Sequence, residues 1–233
     1  MKVMRNFAAS ALLFTLPLVS YAEDSGFYVG GGVGGSNFSN DLTHQIQTAY
    51  VDQDYWSLES AKVTDHSDTA FKVLGGYRFL SWLSVELAWV DLGNAETHYR
   101  LIRNPNGASF VYADITGEYR LDGVTLAVAG QYNFSDHFGV AARMGVFASR
   151  LKYAEHGLKS VQEPYKFIAD DERDTNTLIG LGASWRPHAN WEIRFDWDRY
   201  LNVGTRFDLT ATTNGKFDHV DMYGLNLLYH FGG

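Results

Sequence analysis

The chain has 233 residues, 45% hydrophobic, 15% aromatic and 20% charged, with 23 Gly and no Cys. It is too apolar and aromatic for a disordered chain, has no collagen-like excess of glycine, and without cysteine it builds neither a disulfide framework nor a thiolate metal site. A formal charge of −8 argues against nucleic acid as a partner, which needs a clustered basic excess.

Residues 1–22 read as a cleaved secretory signal peptide. Lys2 and Arg5 give the basic start, Phe7 to Val19 the apolar core, and Ser20-Tyr21-Ala22 the small-x-small ending before Glu23. The apolar run is too short to span a bilayer as a helix, which takes about 20 residues. Its removal leaves 17 basic against 27 acidic residues, a formal charge of −10, on a domain spanning 23–233.

From there the chain alternates with period two, the pattern of half-buried strands. Gly26 to Asn37 is the first predicted strand, with Phe27, Val29 and Val33 on one face. Phe71, Val73, Tyr77 and Phe79 then oppose Lys72, Gly76 and Arg78, and Leu83, Val85, Leu87 and Trp89 oppose Ser84, Glu86 and Ala88. Val124, Leu126, Val128, Tyr132 and Phe134 oppose Thr125, Ala127, Ala129, Gln131 and Asn133. Phe138, Val140, Ala142, Met144 and Val146 oppose Gly139, Ala141, Arg143 and Gly145. Ile179, Leu181, Ala183 and Trp185 oppose Gly180, Gly182, Ser184 and Arg186. The clearest strand puts Trp191, Ile193, Phe195 and Trp197 against Glu192, Arg194, Asp196 and Asp198. The last alternates Tyr223, Leu225, Leu227, Tyr229 and Phe231 with Gly224, Asn226, Leu228 and His230.

Three connections are tight, at Leu80-Ser81-Trp82, Ser135-Asp136-His137 and Pro187-His188-Ala189-Asn190. Four are long and polar, near 39–68, 93–120, 154–174 and 202–217. Eight strands with short periplasmic turns and four long extracellular loops predict an all-β, up-and-down antiparallel transmembrane barrel. A soluble sandwich or lipocalin-like barrel would alternate similarly, with its apolar face inward. Two features favour the membrane. Phe79, Trp82, Phe134, Phe138, Trp185, Trp191 and Phe231 cluster where strands meet the short turns, as an interfacial aromatic girdle does. The opposite face mixes glycine and alanine with charges, which suits a narrow eight-strand interior. Open edges in hydrocarbon would leave backbone groups unpaired, so the last strand must close on the first.

The pieces resemble the transmembrane domain of the OmpA family of Gram-negative outer-membrane proteins. Gly26-Phe27-Tyr28-Val29-Gly30 is similar to the family's first strand, and Phe71 to Phe79 with Val85-Glu86-Leu87 to the second and third. Gly123 to Leu126, Arg143-Met144-Gly145, Arg194-Phe195-Asp196-Trp197 and Tyr229-His230-Phe231-Gly232 resemble pieces of the fourth, fifth, seventh and eighth. The resemblance implies an outer-membrane location, contact with lipid and lipopolysaccharide, and insertion by the barrel-assembly machinery, for which Leu225, Leu227, Tyr229 and Phe231 look like the signal. The family's peptidoglycan-binding domain is not expected here. Glu86, Arg143, Arg194 and Asp196 match interior charges of the family, whereas Ala129 and Ser184 stand where its gate has a lysine and a glutamate.

Lys72, Glu86, Arg143, Arg194 and Asp196 are therefore the expected interior ionic cluster. Lone charges in so narrow a space are costly, so they must pair or keep water. A structural plug and a narrow ion path are both compatible with them. Catalysis is not expected. No His has a Ser two residues on, and in His66-Ser67-Asp68 adjacent residues face opposite sides. The acidic run Asp170-Asp171-Glu172-Arg173-Asp174 matches no calcium loop and reads as solvated. Asp52, Tyr55 and Trp56 in the first loop, and Tyr99, Phe110 and Tyr112 in the second, are candidates for surface contact. The expected role is structural and interactive, with membrane integrity and adhesion, and without cofactor, metal or nucleic acid. A small-solute channel is the alternative, and a lipid A-modifying enzyme the third.

Overall fold

The computed structural model describes residues 25–39, 56–103, 110–159, 163–168, 171–210 and 213–231. The predicted signal peptide and the loop residues Asp52, Tyr55 and Asp170 lie outside them. Among the described residues ten strands follow one another: β1 (Gly26–Phe38), β2 (Trp56–Asp65), β3 (Ser67–Leu80), β4 (Leu83–Arg103), β5 (Phe110–Asn133), β6 (Phe138–Lys159), β7 (Glu163–Ile168), β8 (Glu172–His188), β9 (Trp191–Thr210) and β10 (Thr213–His230).

Eight of them form a closed antiparallel ring. β1 pairs with β3, and pairing runs on through β4, β5, β6, β8, β9 and β10 back to β1. The closing seam runs without interruption from Tyr28 opposite His230 to Phe38 opposite Val220. The register has no shift or bulge along it, as a wall immersed in hydrocarbon requires. The three tight turns, β3–β4, β5–β6 and β8–β9, lie at one end together with both chain ends of the barrel, where the Phe231 amide donates to the Phe27 carbonyl at 2.9 Å.

At the other end the predicted loops are largely strand. Residues 93–120 were expected to be irregular, yet β4 and β5 continue as one long ladder, pairing Asn94 with Arg120 and on to Arg103 with Phe110. β2 adds to the far edge of β4, and β7 to β6. A five-stranded sheet, β2-β4-β5-β6-β7, thus rises beyond the ring. The physical reason is that alternation persists in these segments with its polarity reversed. Ala95, Thr97 and Tyr99 face inward and Asn94 and Glu96 outward, the pattern of an ordinary strand in water.

The reversal in β4 needs a shift of one residue, and a bulge supplies it between Asp91 and Asn94. Gly93 takes φ +74°, a conformation that favours glycine. The neighbouring carboxylates lock the kink: Asp91 accepts from the Gly93 amide at 3.0 Å, and Asp68 from the Asn94 amide at 2.8 Å. In β9 Asn202 has φ 55°, and Tyr200 and Val203, three apart, are both buried.

Candidate functional site

The turn-side part of the interior holds one continuous ionic layer. Strand alternation points Lys72 (β3), Glu86 (β4), Arg143 (β6), and Arg194, Asp196 and Asp198 (β9) into the lumen, and all six are 5% exposed or less. Arg194 grips Glu86 through both terminal nitrogens, at 2.7 and 3.2 Å, and its Nε lies 3.0 Å from Asp196. Arg143 donates to Asp196 at 2.8 Å and stands 3.2 Å from Asp198. Lys72 pairs with Asp198 and lies 3.6 Å from Asp196. Neutral groups complete the set. The Tyr28 hydroxyl donates to Glu86 at 2.8 Å, and the Asn226 amide to Asp196 at 2.9 Å. Gly180 makes room for the layer, since a Cβ there would overlap Asp198 Oδ1 and sit 2.8 Å from Arg143 Cγ.

Three cations thus face three anions. Asp198 is the member missing from the predicted cluster, which had three bases and two acids. Its inward position was readable from the strand, and the charge imbalance was the signal that a third acid was needed. Ala129 and Ser184, the positions matched to the family's gate, provide no charge. Ala129 is buried, and Ser184 lies opposite Arg194 in the register. Nearer the turns, Glu192 is ringed by bases. Arg186 and His230 each lie 3.0 Å away and Arg78 3.9 Å.

Above this layer the interior turns apolar. Val90, Leu92, Leu121, Phe147, Tyr200, Phe217 and Val220 are all fully buried in one contiguous core. Their rings interlock: Phe147 meets Tyr200 at 4.6 Å, Phe38 meets Phe217 edge-on at 5.2 Å, and Tyr119 meets Phe217 at 5.7 Å. This plug was not foreseen, because small residues had been expected to dominate the interior throughout. Tyr99, expected on a loop surface, is instead 3% exposed and donates to Glu155 at 2.8 Å, beside Tyr153, which bonds the same carboxylate. Burial, with the Tyr119 hydroxyl and the Glu155 carboxylate close by, pushes the Tyr153 phenol well above its usual range. Trp56, Phe110 and Tyr112 belong to the strands β2 and β5, not to irregular loops.

The outer face carries the apolar belt. Val73, Leu87, Leu126, Met144, Leu181 and Leu225 are each at least half exposed. The seven predicted girdle aromatics also face outward, from 38% exposure for Phe79 to 61% for Phe134, all beside the turn end. Phe134 stacks on Phe138 at 6.3 Å, and Trp191 meets Tyr229 edge-on at 5.1 Å. Of the triplet His66-Ser67-Asp68, the aspartate carboxylate is held by the Thr69 and Asn94 amides at 2.7 and 2.8 Å, while His66 and Ser67 are exposed. In the acidic run, Asp174 accepts from the Thr175 amide at 2.8 Å, and Asp171 lies 3.9 Å from Arg150.

The model of the OmpA-like transmembrane domain family matches residues 22–233. Among solved structures, the chain is similar to Ail of Yersinia pestis, crystallised with the heparin analogue sucrose octasulfate, at 13% identity over 89% of this chain and 99% of that one, with a TM-score of 0.44. It is similar to OprG of Pseudomonas aeruginosa at 13% identity, over 89% and 98% of the two chains, with a TM-score of 0.45. The outer-membrane protease OmpT of Escherichia coli is matched at 9% identity, over 92% and 99%, with a TM-score of 0.46. No curated protein sequence matches the chain. A closed eight-strand ring, an outward apolar belt and the family match over nearly the whole length lead to one conclusion: the chain belongs to the OmpA-like transmembrane domain family and is a Gram-negative outer-membrane β-barrel.

Proposed function

We propose that the protein is a sealed structural element of the outer membrane that acts through its outside, supporting membrane integrity and meeting surface partners through the sheet β2-β4-β5-β6-β7. The observation that carries this reading is the double closure of the interior. A neutral, mutually hydrogen-bonded ionic layer fills the turn-side part, and the aromatic plug around Phe147, Tyr200 and Phe217 fills the part above it. Opening a path for ions would mean breaking buried ion pairs and unpacking a dense apolar core, each costing several kcal/mol. On this reading the tight turns face the periplasm and the raised sheet faces the exterior. The girdle aromatics settle at the periplasmic interface, where amphipathic rings are favoured.

Planar-bilayer recording of the purified barrel is the test. A silent membrane is expected, and opening the plug alone with Phe147→Gly and Tyr200→Gly should leave it silent, because the ionic layer still closes the turn side. Discrete steps from the unaltered protein would overturn the reading in favour of a channel. Lipid A from expressing cells should keep its acyl chains. A deacylated or palmitoylated product in its mass spectrum would mean an enzyme instead.

A further inference from the structure

Just above the apolar belt, the register sets cations of like sign opposite each other on the outward face. Arg150 of β6 faces Arg173 of β8, and Arg120 of β5 faces Lys152 of β6. Directly opposed residues of an antiparallel pair stand about 5 Å apart at Cα, where like charges repel. Acids answer two of the four. Asp122 pairs with Arg150 at 2.8 Å, and Asp91 with Arg120 at 3.0 Å. Asp171 is a looser neighbour of Arg150 at 3.9 Å. Lys152 and Arg173 have no ion pair among the described residues. The opposite arc of the rim differs. There Arg199 directly faces Asp221 and bonds it at 2.7 Å, so the charge is balanced.

The uncompensated arc borders an open groove of about 530 Å³. Arg150 and Arg173 line it on the side away from the turns, and Trp89, Val124 and Ala148 line it where it runs into the apolar belt. Its two carboxylates are committed, Asp122 to Arg150 and Asp174 to the Thr175 amide. A ligand suited to this groove has an anionic head beside an apolar tail.

We propose that the arc formed by β5, β6 and β8 seats a phosphate of lipid A, the glycolipid of the outer leaflet. Arg150, Arg173 and Lys152 hold the phosphate, and an acyl chain lies along Trp89, Val124 and Ala148. Long basic side chains extend readily from an apolar surface toward a headgroup, and guanidinium matches phosphate oxygens in pairs. A bound phosphate also removes the repulsion between Arg150 and Arg173. The inference deepens the reading above, since it rests on the raised sheet facing outward.

Native mass spectrometry of the refolded full chain in detergent tests it, with bisphosphorylated lipid A, enzymatically dephosphorylated lipid A and inorganic phosphate as probes. Bisphosphorylated lipid A should be retained, and Lys152→Ala with Arg173→Ala should weaken retention about tenfold. Arg199→Ala on the balanced arc should change it by less than about twofold. Dephosphorylated lipid A and inorganic phosphate should both bind poorly. Equal retention by the double variant, or equal binding of dephosphorylated lipid A, overturns the proposal. So does inorganic phosphate binding as well as the lipid. Heat-modified gel migration verifies that each variant is folded, and the dephosphorylated lipid tests the unaltered protein should the double variant fail to fold. Labelling a Lys152→Cys variant on intact cells with a membrane-impermeant thiol reagent tests orientation separately. No labelling would reverse the orientation even where lipid A binds in detergent.

Discussion

Toward the turns from Asp122, β5 points Val124, Leu126 and Val128 outward over Thr125, Ala127 and Ala129. Toward the loops, the same strand points Arg120, Glu118 and Thr116 outward over Leu121, Tyr119 and Ile115. One uninterrupted ladder therefore serves two solvents. In the first stretch the outside is hydrocarbon, and polarity retreats into the lumen as paired ions. In the second the outside is water, and the apolar side chains retreat instead. Strand pairing itself is indifferent to which face is wet. What changes at the boundary is only which face the side chains can afford to be polar on, and β4 marks the crossing with its bulge at Gly93.

The largest expected effects come from opening either interior. Arg194→Met leaves Glu86 and Asp196 buried without their shared partner, and should cost about 3–5 kcal/mol in urea unfolding followed by gel migration. Phe147→Ala empties the plug at a fully buried ring and should cost about 3–5 kcal/mol in the same assay. Equal tolerance of both variants would mean that neither interior is packed as described.

The outer faces divide more sharply. Leu126→Arg puts a charge in the belt and should cost about 2–4 kcal/mol in a lipid bilayer. Glu118→Arg, on the same face of the same strand beyond the rim, should stay within about 0.5 kcal/mol. Similar penalties at the two sites would erase the boundary at Asp122. Spin labels at Leu227 and Glu118 should report lipid and water respectively.

The smallest effect is a pH response of the raised sheet. Burial pushes the Asp114 carboxyl up, but hydrogen bonds from Arg100 at 2.9 Å and from His98 outweigh it and hold the group below the usual carboxylate range. A lowered folded-state value means the contribution is present above the ordinary Asp range and fades as pH falls through the lowered one. Protection factors of the amides in β4 and β5, taken relative to the intrinsic exchange rate at each pH, should therefore fall modestly below about pH 4, and Asp114→Asn should abolish that decrement. The pair is partly exposed, which keeps the effect small.

Much of the turn-side barrel could be read directly from the chain. Trp191 to Asp198 declares both faces without help, and alternation of large apolar with charged or small residues is enough to say which faces lipid once the girdle beside the turns is noticed. The ionic layer was nearly legible too, short only of Asp198. The raised sheet was not. Its outward Glu96, His98, Arg100 and Glu118 look like loop polarity when the inward Thr97, Tyr99, Gly117 and Tyr119 are taken one at a time.

The period-two signal by itself determined that this chain is built of amphipathic strands, because a pleated strand has only two faces and each must meet one medium. Tertiary structure alone decided which cations meet which acids, that phenylalanine and tyrosine from β1, β6, β9 and β10 fill the same space, and that like charges confront each other on β6 and β8. Those facts depend on the stagger between strands far apart in sequence, and stagger is set by the closed ring as a whole.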